Sequence, residues 1–359
     1  MGNLELLTFL LLCNNSLSGS IPSSIGNLQQ LRYLFLSNNL LIGTIPSSIG
    51  KLELLHYLCL EINYLTGWIP SSFSKLRSLK ALLFYSNRLG GSLSNVFNHS
   101  IQLNLSTIQL NYNQLTGSIP AEIFHLPVLF TFDIVSNCLT GSIPFSAICK
   151  SQTLSNIILG GLHTSPSCRQ LIFLGSTLFT SAYTLNHDLL NRINPCVFTM
   201  MSSLQTLHLS SNGLTGSLPK NLTISESLTD VSLSHNQLTC TIPDTFQSKP
   251  WNRLDLSFNR ISGTLDSSRF NTLEDNSARY LEENWLSGVI PKGLIGVKQV
   301  NILNGNIFGC YLSKIDVPQY DPNFSNYKCG STSFDACSLF RLVRINRLVN
   351  SYLINVEVY

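Results

Sequence analysis

The sequence predicts a solenoid of short parallel strands, and three observations carry that prediction. Leu31 and Leu55 open successive units that are 24 residues apart, and the same unit recurs along most of the chain. Apolar residues within the unit alternate with the two-residue period of a strand that buries one face. An Asn follows that strand in unit after unit. Repeats of this length must stack on their neighbours to bury a continuous core.

Each position of the unit has a physical role when its first Leu is numbered 1. Positions 4 and 6 lie on the buried face of the strand, and positions 19 and 22 face inward from a short helical turn. Position 13 is Gly in most units, where the chain turns sharply. Positions 15 and 16 are Ile-Pro or Leu-Pro, which suits an extended segment without a donor to spare.

Position 9 is the recurrent Asn. Its amide can satisfy backbone groups that are freed where the chain leaves the strand, so we expect a structural ladder and not a catalytic role. The predicted ladder consists of Asn39, Asn63, Asn87, Asn113, Asn137, Asn212, Asn236, Asn259 and Asn284.

The Leu-x-Gly-x-Ile-Pro pattern resembles the leucine-rich repeat, specifically its plant-type variant, over residues 2–150 and 204–309. The resemblance implies an α/β solenoid, a right-handed superhelix with a parallel β-sheet on its concave face. It also implies 3₁₀ or helical turns on the convex face and extra short strands at the Leu-x-Gly-x-Ile-Pro segments.

Five segments follow from where the pattern holds. Residues 1–159 form an N-terminal array and residues 204–309 a C-terminal array, followed by a cap at 310–337 and a tail at 338–359. The pattern fails between them, at residues 160–203, which contain Cys168, Cys196 and a polar-aromatic run at Phe179–His187. This interruption is either a degenerate repeat or a folded insertion. Inserted islands bind ligand in some plant receptors that resemble this family, whereas a decayed coil would only fill space.

The C-terminal region contains a candidate disulfide and an ambiguous tail. Val300–Cys310 looks like a closing half-coil, and a bridge from Cys310 to Cys329 would pin the cap. Arg341, Arg344 and Arg347 alternate with apolar residues, as in a basic amphipathic helix, although a tail without regular structure is the simpler interpretation. Three Arg near the centre of this segment exclude a transmembrane span.

The N-terminus opens inside a repeat, because Gly2-Asn3-Leu4 matches Gly26-Asn27-Leu28. We read Leu6–Leu12 as a first strand and not as a secretion signal. A solenoid needs a polar cap over its first layer, so the sequence predicts a fragment of a longer chain. An extracellular or cell-surface location follows from the resemblance and the cap disulfide, with membrane contact only through a segment missing from this chain.

Composition and motifs point away from nucleic acids and catalysis. The net charge is +3, only 11% of residues are charged, and no strongly basic block occurs. No phosphate-binding loop, metal-protease motif or nucleophile elbow is present, and we expect no cofactor, no metal and no enzyme activity. One group of polar residues has side chains that could form a metal or hydrolytic site, but no orienting partner is readable and we interpret the group as a solvated recognition surface: His208, Asp230, His235 and Asp255.

The predicted binding surface is the concave face. Its outward positions are aromatic in the early units and polar or acidic in the later ones, although Tyr and Phe also suit strands for their own sake. The residues predicted to bind are Tyr33, Phe35, Tyr57, Tyr85, Tyr112, Asp133, His208, Asp230, His235 and Asp255, and Phe9 extends the aromatic run.

These observations predict a non-enzymatic recognition module that binds a protein, peptide or glycan. The first hypothesis is the ectodomain of a cell-surface receptor-like protein. The alternative is a soluble extracellular inhibitor of a wall-degrading enzyme, a known use of the same repeat. An enzyme would require a site within residues 160–203.

Overall fold

A computed structural model describes residues 4, 6–162, 168, 192–269, 277–311 and 313–329. It divides into two compact units. Unit 1 comprises Met1–Leu214 and Leu222–Leu233, and unit 2 comprises Thr215–Asn221 and Ser234–Tyr359. The boundaries between the units fall within the repeats that start at Leu204 and Leu228. The predicted tail, residues 338–359, lies outside the described residues.

Unit 1 is built around a parallel sheet to which each repeat contributes one three-residue strand, with the central residue buried. Strands are numbered in chain order, and neighbours pair in register without offset. The strands of this main sheet are β1 (Phe9–Leu11), β3 (Tyr33–Phe35), β5 (Tyr57–Cys59), β7 (Ala81–Leu83), β9 (Thr107–Gln109), β10 (Thr131–Asp133), β11 (Asn156–Ile158), β12 (Thr206–His208) and β14 (Asp230–Ser232).

A second parallel sheet forms at the Leu-x-Gly-x-Ile-Pro segments, as the resemblance implied. Its strands are β2 (Ser18–Ser20), β4 (Leu40–Thr44), β6 (Tyr64–Trp68) and β8 (Arg88–Gly90). Gly67 lies in this sheet with φ +75°, and a Cβ there would come within 2.7 Å of Thr44 Cγ2. Both the left-handed backbone and the close approach therefore require the Gly at position 13.

Short helices complete the repeats of unit 1 and begin directly after a Pro. They are the 3₁₀ helices η1 (Ser23–Asn27), η2 (Ser47–Lys51), η3 (Ser71–Lys75) and η4 (Ala121–His125), and the single-turn α-helices α1 (Phe145–Ile148) and α2 (Cys196–Thr199). Their apolar side chains are buried, among them Ile49 and Phe73, and close the core opposite the main sheet.

Unit 2 repeats this architecture. Its main sheet contains β16 (Arg253–Asp255), β18 (Ala278–Tyr280) and β20 (Gln299–Asn301). Its second sheet contains β13 (Thr215–Ser217), β15 (Gln237–Cys240), β17 (Arg260–Thr264), β19 (Trp285–Val289) and β21 (Ile307–Gly309). Helices α3 (Asp244–Ser248) and α4 (Lys292–Ile295) take the place of the 3₁₀ turns.

The alternating pattern does not predict strand β18, because Arg279 occupies its inward position, in register with Leu254 and Val300. The Arg279 side chain is 1% exposed, and Nη1 donates to the carbonyls of Trp251 and Ala278, both at 2.9 Å. Burial lowers the pKa of Arg279 to about 10. A buried cation at a Leu position hides the alternating pattern on which strand prediction depends.

The asparagines at position 9 form hydrogen bonds between successive repeats. Asn137 Oδ1 accepts from the Leu115 N–H at 3.0 Å, and Asn137 Nδ2 donates to the carbonyls of Leu110 and Ile134 at 3.1 and 3.0 Å. An Oδ1 bond to the backbone of the preceding repeat recurs at Asn39, Asn63, Asn87, Asn113, Asn212, Asn259 and Asn284. Asn236 is buried and donates to the Ser234 carbonyl, and Asn306 adds a further rung, with Oδ1 on the Leu286 N–H.

β11 and β12, which lie on either side of the predicted interruption, pair directly in the main sheet. Helix α2 supplies the helical turn that precedes β12. Two disulfides, Cys138–Cys168 and Cys149–Cys196, tie this segment to the preceding repeat. The pairing of these cysteines could not be predicted from the sequence, and the run at Phe179–His187 lies outside the described residues.

The cap of unit 2 contains the Cys310–Cys329 disulfide, with a Cα–Cα distance of 5.2 Å. Asp321 carries out the task that the next strand would perform, since its Oδ2 accepts from the backbone N–H groups of Ile302 and Leu303 at 2.6 and 3.0 Å. The Tyr327 hydroxyl donates to the Phe308 carbonyl at 3.0 Å.

Candidate functional site

The outward face of the main sheet in unit 1 begins with a stack of aromatic rings. Phe9, Tyr33 and Tyr57 are neighbours in the strand register, and their ring centroids are 4.6 and 5.4 Å apart, with planes inclined by only 8°. Phe35 meets the edges of the Tyr33 and Tyr57 rings at 6.2 and 6.4 Å. We call Phe9, Tyr33, Phe35 and Tyr57 the aromatic patch. Alternation along the strand points these side chains away from the core.

Ala81 follows Tyr57 in the register, so the row of rings ends there. Tyr85 lies two residues beyond β7, at position 7, and is half-buried beside Glu61. Burial and then the charge of Glu61 raise the pKa of Tyr85. Tyr85 is therefore adjacent to the aromatic patch along the sheet but is not part of its ring stack.

Tyr112 and His235 were predicted as outward residues of the concave face, and the structure places both at position 8, beyond the strand. Their φ angles are +56° and +54°, and the same left-handed conformation recurs at position 8 of the other repeats. Tyr112 remains exposed, and His235 stacks on Phe258 with 4.1 Å between ring centroids. The periodicity gave no sign of this turn because residues as different as Asn, Ile and Phe occupy it.

The polar residues of unit 1 that were predicted to bind are a hydrogen-bonded pair, His208 and Asp230, and a separate carboxyl, Asp133. His208 Nε2 lies 2.9 Å from Asp230 Oδ1 on the neighbouring strand. Asp133 is separated from His208 by Ile158 in the register and accepts from the Val135 N–H at 3.2 Å. Burial raises the pKa of Asp133 to about 6, against the effects of that hydrogen bond and of His208.

Asp255 was predicted to point out of the concave face as an exposed side chain, and that exposure is contradicted by the structure. It is 7% exposed, because its carboxylate is held by its own strand. Oδ1 accepts from the Ser257 hydroxyl at 2.7 Å, and Oδ2 accepts from Arg253 Nη2 at 3.1 Å. Arg253 in turn lies over the Tyr280 ring, 5.5 Å from its centroid.

No group of three or more His, Cys, Asp or Glu within the described residues could hold a metal ion. The part of the chain that the structure describes also contains no helix of the length and hydropathy that a membrane span requires. The outward face of unit 1 presents the aromatic patch, and the His208–Asp230 pair lies further along the same sheet.

The family model for the Leucine Rich Repeat matches residues 6–28, 30–52, 104–126, 203–223 and 227–248. The chain is a leucine-rich-repeat solenoid. It is 33% identical to Receptor-like protein 7 of Arabidopsis thaliana over 222 residues, which is 57% of this chain and 21% of that protein.

Two solved structures resemble the leucine-rich-repeat chain at the level of fold and sequence. The plant peptide hormone receptor RGFR1 in complex with RGF2 gives a TM-score of 0.69 at 30% identity, covering 86% of this chain and 45% of that one. The PEPR1–AtPEP1 complex gives 0.66 at 27% identity, covering 86% and 43%. The chain thus spans less than half of these relatives.

Proposed function

We propose that this chain is part of a receptor-like ectodomain that binds a peptide or protein ligand on the outward face of its main sheet, at the aromatic patch. The observation that carries the proposal is the stack of Phe9, Tyr33 and Tyr57, with Phe35 against their edges. Phe9 is 56% exposed, and side chains of this size on a soluble surface usually mark a contact site.

The rigidity of the patch adds to its suitability for binding. Each ring is fixed by a neighbouring ring and by a strand in register, so little side-chain entropy is lost when a ligand covers it. Aromatic residues held in this way are frequent energetic centres of protein interfaces. The likeness to a plant peptide hormone receptor, at 30% identity, supports a peptide as the ligand class.

We place the chain outside the cell or at its surface. Three disulfides in the described residues support this location, because such bonds persist in oxidising compartments. A soluble inhibitor of a wall-degrading enzyme would use the same kind of surface, and that alternative rests on the family resemblance alone.

The test is a triple variant, Tyr33→Ser, Phe35→Ser and Tyr57→Ser, assayed against peptides selected on the wild-type chain from a phage-displayed random library. We expect binding to weaken by about 30-fold or more, equivalent to about 2 kcal/mol. The fold should persist, because none of the three side chains faces the core.

The matched control is the triple variant Ile42→Ser, Tyr64→Ser and Trp68→Ser, which removes exposed apolar side chains from β4 and β6 of the second sheet. This control should bind the selected peptides as the wild type does. Equal binding by both triple variants would refute the proposal, as would a failure to select any peptide.

A further inference from the structure

Unit 2 contains five buried polar side-chain atoms that have no hydrogen-bond partner among the described residues, and three of them belong to residues around Tyr280. These three are Glu282 Oε2, Asn301 Oδ1 and Arg253 Nε. We call these residues the unit 2 polar cluster. Leaving such atoms unpaired costs free energy, so they call for a partner that the described residues do not supply.

The strand register brings the three residues together around Tyr280. Tyr280 pairs with Asn301 on one side and with Asp255 on the other. The Arg253 guanidinium lies over the Tyr280 ring, and the Glu282 N–H donates to the Asn301 carbonyl at 3.2 Å. Glu282 is only 9% exposed, so its free oxygen is not simply solvated at the surface.

The surrounding charge is negative. The pKa of Glu282 is raised to about 7, with burial as the largest cause. The nearby charges of Asp255, Asp321 and Glu283 also contribute to this rise. Arg253, the cation of the cluster, already pairs with Asp255 through Nη2. A partner for Glu282 and Asn301 must therefore donate hydrogen bonds, and a positive charge is favoured.

The third unpaired atom, Arg253 Nε, restricts the chemical class of the ligand. Arg253 Nε needs an acceptor, while Glu282 and Asn301 need donors. The N-terminus of a peptide has an ammonium with three donors and a carbonyl oxygen a few bonds away. A lysine side chain lacks that adjacent carbonyl, and a guanidinium is wider than an ammonium. Capture of a terminal amine is a recurrent mode of peptide recognition.

We propose that the unit 2 polar cluster binds the free N-terminal ammonium of a peptide ligand. The ammonium donates to Glu282 and Asn301, and the first peptide carbonyl accepts from Arg253 Nε. This inference rests on the proposed function only in taking the ligand to be a peptide, since the cluster belongs to unit 2 and the aromatic patch to unit 1.

The experiment uses triglycine amide, its N-acetylated form and acetyl-lysine amide as probes, with binding followed by ligand-detected NMR on the whole chain. We expect triglycine amide to bind and both blocked probes to bind at least about tenfold more weakly. Glu282→Gln should weaken binding of triglycine amide by a similar factor.

Glu283→Gln is the matched control, because the adjacent Glu283 already accepts from Asn304 Nδ2 at 2.7 Å and has no part in the cluster. It removes one of the nearby negative charges but no hydrogen bond to the ligand, so it should weaken binding of triglycine amide much less than Glu282→Gln does. Equal binding of free and acetylated triglycine, an unchanged affinity in Glu282→Gln, or no binding of triglycine amide would each overturn the proposal.

The two proposals fail separately. Selected peptides that lose binding in the aromatic triple variant, but bind equally with free and acetylated N-termini, would leave the proposed function standing and remove the cluster. The reverse outcome has two parts: triglycine amide binding depends on Glu282, and the aromatic triple variant binds the selected peptides as the wild type does. It would support the unit 2 polar cluster and refute binding at the aromatic patch.

Discussion

Ile62 occupies a backbone conformation that suits few side chains. Its φ is +55°, and a β-branched residue in the left-handed region is strained. Asn14 and Asn38 hold the same position in the two preceding repeats, and Asn38 Nδ2 donates to Asn14 Oδ1 at 2.8 Å. Position 8 of this solenoid therefore accepts Asn more readily than Ile.

Replacing Ile62 with Asn should raise the free energy of unfolding by about 1 kcal/mol, because Asn tolerates the left-handed region and can extend the Asn14–Asn38 row. Urea denaturation monitored by circular dichroism measures the change. Ile42→Asn is the control, since Ile42 is also exposed but lies in strand β4. A gain of equal size at both positions would show that exposure, and not backbone strain, is the cause.

The asparagine at position 9 of each repeat forms hydrogen bonds that hold this repeat against the preceding one. Asn113 Oδ1 accepts from the Leu89 N–H at 2.9 Å, and Nδ2 donates to the carbonyls of Phe84 and Leu110 at 2.9 and 3.1 Å. These groups lie where the strands end, so no ladder bond can replace the amide.

Asn113→Ala should lower the free energy of unfolding by about 1–3 kcal/mol, because buried backbone groups lose their partners. Asn111→Ala provides the contrast, since Asn111 Oδ1 is buried without a partner among the described residues. Thermal unfolding should show the larger loss for Asn113→Ala. Melting temperatures that fall equally in the two variants would contradict a structural ladder.

The stability of the whole molecule should depend on pH through the titration of Glu282. Its pKa is raised from 4.5 to about 7, so the folded state retains a proton that the unfolded state releases. The sign follows from linkage: the contribution is fully present below pH 4.5 and is lost as the pH rises through 7.

Glu282→Gln removes this titration and should stabilise the chain at pH 8 relative to wild type by about 2–3 kcal/mol more than at pH 4. Urea denaturation of both proteins at the two pH values measures the difference. Glu283→Gln is again the control: Glu282 still titrates in this variant, so most of the pH dependence of the wild type should remain. A constant offset between Glu282→Gln and wild type across this range would exclude a shifted pKa.

The main predictions of fold followed from local rules. The alternation at positions 4 and 6, the Gly at position 13 and the Asn at position 9 each satisfy a requirement of one repeat, and that requirement recurs in the next. The solenoid, its two sheets and the Asn rows could therefore be predicted from the sequence. So could the aromatic patch, because alternation decides which side of a strand faces outward.

The tertiary structure decided what depends on contacts between repeats. It paired β11 with β12 across residues 160–203, buried Asp255 in contact with Arg253 and Ser257, and placed Arg279 at a core position. It also placed Tyr112 and His235 in a left-handed turn that no single residue type marks. The sequence determined the repeat because its pattern is local, whereas the burial of a charge and the convergence of unpaired polar atoms depend on neighbours that only the folded chain brings together.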